Sequence, residues 1–115
     1  MLPRILLVAP DSDLRRSVEF ALSAEGCEII SRASIGAREV PSDYDCTVLD
    51  HHAAGGDTVL AARFCRIFAP VVLLANQPIH PLSSDAFRTV VKPFLGAALT
   101  TAVRDALAVP RAPTK

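Results

Sequence analysis

Apolar residues along this chain form two kinds of pattern, and the two alternate. Short continuous blocks, Ile5–Ala9, Cys46–Leu49 and Val71–Ala75, have the length and character of strands buried on both faces. Between them, apolar residues recur every three or four positions: Leu14, Val18, Ala21 and Leu22 in one stretch, then Leu60, Phe64, Ile67 and Phe68. Leu95, Ala98, Leu99, Ala102, Val103, Ala106 and Leu107 make the cleanest helical stripe. Cys27–Ser31 is a more polar strand, placed nearer an edge, and Arg88–Val91 is a fifth. Residues 35–40 could form a short helix closed by Pro41, followed by a turn at Ser42, Asp43 and Tyr44.

The punctuation agrees with this reading. Pro10 stops the first strand, Asp11 or Ser12 can cap the helix after it, and Asp13 suits its first turn. Gly26 stands where a left-handed C-cap belongs. His51 to Asp57 is a polar loop containing Gly55 and Gly56. Strands alternating with helices build βαβ units, whose crossovers are right-handed. The expected architecture is an α/β three-layer sandwich, a single domain over residues 1–109, with Pro110 and Pro113 opening a mobile tail over 110–115. The first and third strands flank a switch point, so Asp50 shares a crevice with the residues after Val8.

Composition narrows the class. Of 115 residues, 50% are hydrophobic but only 5% aromatic, which suits an aliphatic core around a parallel sheet. Twelve basic residues balance twelve acidic ones, against a basic nucleic-acid footprint. Cys27, Cys46 and Cys65 are odd in number and set in apolar contexts, as in reduced thiols of a cytoplasmic protein. No apolar stretch has the length of a membrane span, and no signal peptide precedes the first strand. No nucleophile–base pair is visible, so an enzyme is not expected.

Two short runs carry the candidate chemistry: Asp45-Cys46-Thr47-Val48-Leu49-Asp50, ending on a carboxylate, and Val90-Val91-Lys92-Pro93-Phe94, with a lysine before a proline. With Ile5-Leu6-Leu7-Val8, Leu14-Arg15-Arg16, Gly26 and Tyr44-Asp45, they make the chain resemble a response-regulator receiver domain of two-component signalling, from Arg4 to about Val109. The resemblance implies a flavodoxin-like sheet in the order 2-1-3-4-5. It implies that Asp50 holds the phosphoacceptor position, served by a histidine kinase, and that Lys92 contacts the phosphoryl group. Partners would then be a kinase, a phosphotransfer protein or an output protein, with no direct nucleic-acid or membrane contact.

The departures from that pattern bear on the chemistry. The acidic pair that helps hold Mg2+ falls on Ala9 and Pro10, the switch hydroxyl on Ala75, the aromatic switch on Thr89, and the Met-Pro pair on Ala53-Ala54. Asp11 is not a slipped member of the pair, because a shift would turn Leu14 and Val18 off their buried face; it reads as a helix cap. Mg2+ wants carboxylates, phosphate and waters, and Asp50 alone, aided through water by Asp11 or Asp57, is a thin site. A direct Asp50–Lys92 ion pair with no cofactor is the first expectation. The first functional reading is therefore a stand-alone, degenerate receiver acting as a protein-interaction module. The alternative is a working phosphoacceptor, with Mg2+ required only in that case.

Weaker features carry bland readings. Asp50, His51 and His52, with Asp57 and His80 at unknown distance, could suggest a transition-metal site. Adjacent residues of an extended strand point apart, however, and loop histidines are usually solvated. Gly55-Gly56 could cradle an anion, and Arg63 and Arg66 could activate Cys65; a plain loop and an inert, semi-buried thiol are the ordinary alternatives. Between the fourth and fifth strands only residues 76–87 are left, fewer than the receiver pattern has, and Pro78 and Pro81 forbid a regular helix through the first half. The fourth helix should be shortened or lost. Ile79, Leu82 and Phe87 would then extend an apolar patch beside the last helix, suited to a partner or a homodimer.

Overall fold

The computed structural model of the chain describes residues 2–36, 39–93 and 96–109. Five strands, β1 (Arg4–Val8), β2 (Glu28–Arg32), β3 (Cys46–Asp50), β4 (Val71–Ala75) and β5 (Arg88–Val91), form one sheet in the order β2-β1-β3-β4-β5. Every pairing is parallel. Helices α1 (Ser12–Ala24), α2 (Thr58–Ile67) and α3 (Gly96–Leu107) cover its faces. The expected α/β sandwich and strand order are therefore present.

Alternation along the strands divides the core in two. Ile5, Leu7, Val48, Val72 and Leu74 point to one face, where Val18 and Leu22 of α1 meet Leu99, Ala102, Val103 and Ala106 of α3. Leu6, Val8, Leu49, Val71 and Leu73 point to the other, against Ala61, Phe64 and Cys65 of α2 and Phe68 beyond it. The helix termini follow local sequence. Asp11 Oδ1 accepts from the Asp13 N–H at 2.9 Å, which caps α1 as expected. At the other end Gly26 has φ +86°, and the N–H groups of Gly26 and Cys27 return to the carbonyls of Ser23 and Leu22 in a Schellman motif.

Several expectations need correction. The stripe of α2 is rotated: Leu60 and Ile67 are half exposed, at 49% and 52%, and Ala61 and Cys65 take the sheet side. These small side chains let the helix lie close, while the rings of Phe64 and Phe68 stack at 4.4 Å. Cys65 is fully buried rather than semi-buried. On α3, Ala98 is exposed, and Leu95, like Phe94 before it, lies outside the described residues, as does the tail over 110–115. No helix forms among the described residues of 35–40, with Ala37 and Arg38 outside them. Pro41 forces Val40 into extended backbone at ψ 118° and starts a 3-10 turn over Pro41–Asp43, and six residues are too few for an isolated helix.

Between β4 and β5 the α-helix is absent, and a 3-10 turn at Ser83–Asp85 stands in its place. Backbone groups that a helix would satisfy are met by side chains instead. Ser83 Oγ accepts from the His80 N–H and from Thr89 Oγ1, each at 3.0 Å, and His80 Nδ1 accepts from the Leu82 N–H at 3.1 Å. This stapled turn overturns part of the expected patch. Ile79 is 84% exposed and Phe87 38%, but Leu82 is fully buried among Leu73, Ala75 and Phe68. With no helix to cover that part of the sheet, one leucine drops in to fill the space. No helix among the described residues is long and apolar enough to cross a membrane.

Candidate functional site

β3 is buried along its length and delivers Asp50, 1% exposed, to the carboxyl rim of the sheet. Asp50 is in register with Leu74 of β4, and Leu74 with Val90 of β5. Lys92 follows the last ladder pair, and its N–H donates to the Ala75 carbonyl at 2.8 Å. Two strand spacings separate β3 from β5, roughly 10 Å, and the four-carbon stem of lysine spans much of that. Lys92 Nζ reaches to 2.5 Å from Asp50 Oδ1. That length is a close charge-assisted contact, while Asp50 Oδ2 has no hydrogen-bond partner among the described residues. The contact is therefore an ion pair, in the place where the sequence puts it.

The histidines are arranged otherwise than the sequence reading supposes. After Asp50 the chain turns at once into a 3-10 helix over His51–Ala54, so the two adjacent histidines do not splay apart as on a strand. Their rings lie 4.0 Å apart, with His51 Nδ1 3.5 Å from Asp50 Oδ1 and His52 Nδ1 3.4 Å from Oδ2. His51 Nδ1 is also 3.0 Å from the Leu74 carbonyl oxygen. A carbonyl only accepts, so Nδ1 carries a proton there. His80 stands edge-on to His51 at 5.3 Å, which brings all three histidines of the chain together. Burial and the neighbouring His51 lower the pKa of His80. The usable signal was the His-His pair directly after the acid; the unforeseen step was the immediate turn.

Other candidates have local roles. Asp57 Oδ1 accepts from the Leu60 N–H at 2.9 Å, so this carboxylate caps α2 and occupies the end that an anion would need. Gly55 and Gly56 have φ +59° and +87° and serve the turn before that cap. Burial raises the thiol of Cys65 to about 11, with Asp85 adding to the rise and Arg66 opposing it, so Cys65 is not activated. Ala75 presents no hydroxyl, and Thr89 spends its own on Ser83.

The architecture is that of response-regulator receiver domains. The chain is similar in structure to the non-phosphorylated HemR receiver domain from Leptospira biflexa, with a TM-score of 0.80 and 20% identity over 97% of this chain and 99% of that one. It is also similar to a response regulator from Thermotoga maritima, with a TM-score of 0.76 and 18% identity over 95% and 100% of the two chains. The receiver domain of a sensor histidine kinase from Pseudomonas aeruginosa, with a magnesium ion coordinated in its active-site cleft, gives a TM-score of 0.74 and 18% identity over 95% and 100%. No protein-family profile and no curated protein sequence matches the chain.

The residues present here do not fit a magnesium ion. Ala9 is fully buried and brings no side-chain oxygen, and Pro10 brings none. Their carbonyl oxygens accept from Arg15 Nη1 at 2.6 and 3.0 Å, which sets a guanidinium against the end of β1. A second cation, the Lys92 ammonium, already lies on Asp50. Asp11, the other acid considered, is turned to its helix cap. Mg2+ keeps to oxygen ligands in near-octahedral geometry, and one carboxylate already paired with an ammonium does not supply them.

Proposed function

We propose that this chain is an atypical receiver domain that acts in signal transduction as a protein-interaction module, without enzymatic activity and without need of a cofactor. The observation that carries the reading is the Lys92–Asp50 pair, at 2.5 Å, beside Arg15 on the carbonyls of Ala9 and Pro10. The lysine is already spent on Asp50, and a guanidinium lies against the end of β1, where a receiver would present its acidic pair. Phosphoryl transfer depends on positioning and charge neutralisation by metal and lysine together, and here Ala9 and Pro10 stand where the acidic pair would help hold the metal. Its partner is a histidine kinase, a phosphotransfer protein or an output protein in the cytoplasm, and a chain of zero net formal charge is poorly suited to nucleic acid. Exposed Ile79 and Phe87, on the crossover between β4 and β5, are the contact we assign to a partner or a second copy.

The test is incubation with Mg2+ and a small acyl-phosphate donor, followed by intact mass. Little or no added phosphoryl group is expected. Stoichiometric, Mg2+-dependent modification of Asp50 would favour the second reading, a phosphoacceptor in a relay, which the shared rim position of Asp50 and Lys92 keeps in view.

A further inference from the structure

We propose that the rim around Asp50 is a site for a borderline transition-metal ion of the Zn2+ class, held by Asp50, His51 and His52. Each of the three offers a ligand atom, and those atoms lie within 4.8 Å of one another. A mixed carboxylate and imidazole set suits Zn2+, Ni2+ or Cu2+ and does not suit Mg2+. The proposal stands on these side chains and not on the signalling reading.

Two further observations point to a ligand. Asp50 is 1% exposed, and while Lys92 lies on Oδ1, Oδ2 has no hydrogen-bond partner among the described residues, which is uncommon for a buried carboxylate oxygen. A metal would occupy that free oxygen. His51 brings Nδ1 to 3.5 Å from Asp50 Oδ1, on the carboxylate that His52 Nδ1 approaches at 3.4 Å, and a metal bound there would take the place of the proton that faces the Leu74 carbonyl. His52, with a side chain 61% exposed, gives an ion access from solvent. Three protein ligands leave a fourth position open, as in zinc sites that bind an exchangeable molecule.

Lys92 is the competitor. Its ammonium sits on Asp50 Oδ1, while His52 approaches Oδ2, so an ion entering from the His52 side meets the oxygen that Lys92 leaves free. Metal and lysine then share one carboxylate with opposed preferences, and removing the lysine charge strengthens metal binding.

The experiment is calorimetric titration of untagged protein with ZnCl2, and separately with MgCl2, read with the shift in thermal midpoint. One equivalent of Zn2+ should bind and raise the midpoint, since a ligand bound only by the folded state stabilises it; MgCl2 should do neither. His52→Ala removes an exposed ligand without disturbing the core and should weaken Zn2+ at least tenfold, as should Asp50→Asn. Lys92→Met should tighten it, with a larger Zn2+-induced rise in midpoint. Cys27→Ser controls for the one partly accessible thiol and should change nothing. Absence of Zn2+ binding, binding unchanged in His52→Ala, or loss of binding in Cys27→Ser would each overturn the assignment. Phosphorylation by a donor has no bearing on these readouts, so failure here is separable from failure of the signalling reading.

Discussion

Lys92 Nζ lies 2.5 Å from Asp50 Oδ1 across the whole width of β4, and the two partners are unequally buried. The Asp50 side chain is 1% exposed and that of Lys92 19%. The cost of breaking the pair therefore depends on which partner is left. Lys92→Met strands a carboxylate in the core and should destabilise the fold by about 3–5 kcal/mol. Asp50→Ala leaves a lysine that can swing to water and should cost less. Urea unfolding of both variants and of the double variant checks this. If Lys92→Met costs no more than Asp50→Ala, the asymmetry of burial does not govern the pair.

Leu82 and Ile79, three residues apart on the helix-free crossover, should behave oppositely. Leu82→Ala empties a fully buried position and should cost about 2–5 kcal/mol. Ile79→Glu, on a side chain 84% exposed, should stay within about 0.5 kcal/mol. Of the two, only the Ile79 change can report on partner binding or self-association, because Leu82→Glu would break the core. Thermal midpoints beside a sedimentation or pull-down assay separate the two effects.

Acid should expose the contact that holds the chain between β2 and β3. The pKa of Glu39 is lowered by the Tyr44 hydroxyl hydrogen bond, with Arg32 at 2.7 Å adding its charge against a desolvation penalty. A carboxyl depressed on folding contributes stability that is present above its unfolded value, near 4.5, and lost as pH falls toward the folded one. Tyr44→Phe should therefore flatten the decline in stability below about pH 4.5. Chemical denaturation across that range measures it, and an unchanged slope would count against the Glu39 assignment.

The thiols should differ in accessibility. Burial raises Cys46 to about 12 and Cys65 to about 11, so neither forms thiolate near neutrality. Cys27 is only partly buried, though burial and Glu25 raise it too. Iodoacetamide at pH 8 should label Cys27 slowly in the native protein and all three thiols only after unfolding. Mass spectrometry of digests reads this directly; prompt native labelling of Cys65 would mean that α2 opens from the sheet.

Much of the architecture was legible because its causes are local. Continuous aliphatic blocks predicted the buried strands, Asp11 and Gly26 the limits of α1, and Pro78 and Pro81 the missing helix before β5. Asp50 and Lys92 could be paired because both end strands on one rim. What the sequence concealed depended on packing between distant segments. Leu60 and Ala61 are equally plausible as inward positions until the helix meets the sheet. Leu82 reads as a surface leucine until no helix covers Leu73. The histidine cluster depended on where β3 stops, and a one-residue error in that place points His51 and His52 to opposite sides. Arg15 gave no signal, since an arginine in a first helical turn is ordinarily solvated.

The uneven helical cover also alters the field at the carboxyl rim. In a parallel sheet with right-handed crossovers, each connecting helix begins where a strand ends, so α1, α2 and α3 direct their N-termini toward the side that holds Asp50. Each such end behaves as roughly half a positive charge. The crossovers from β2 to β3 and from β4 to β5 show no α-helix among the described residues, and contribute no such ends. Backbone dipoles thus supply less of the potential that favours negative charge at this rim, and a larger share falls to two mobile side chains, Lys92 and Arg15. A field made by side chains can be rearranged by rotamer changes or by a bound ion, whereas one made by helices is fixed by the fold.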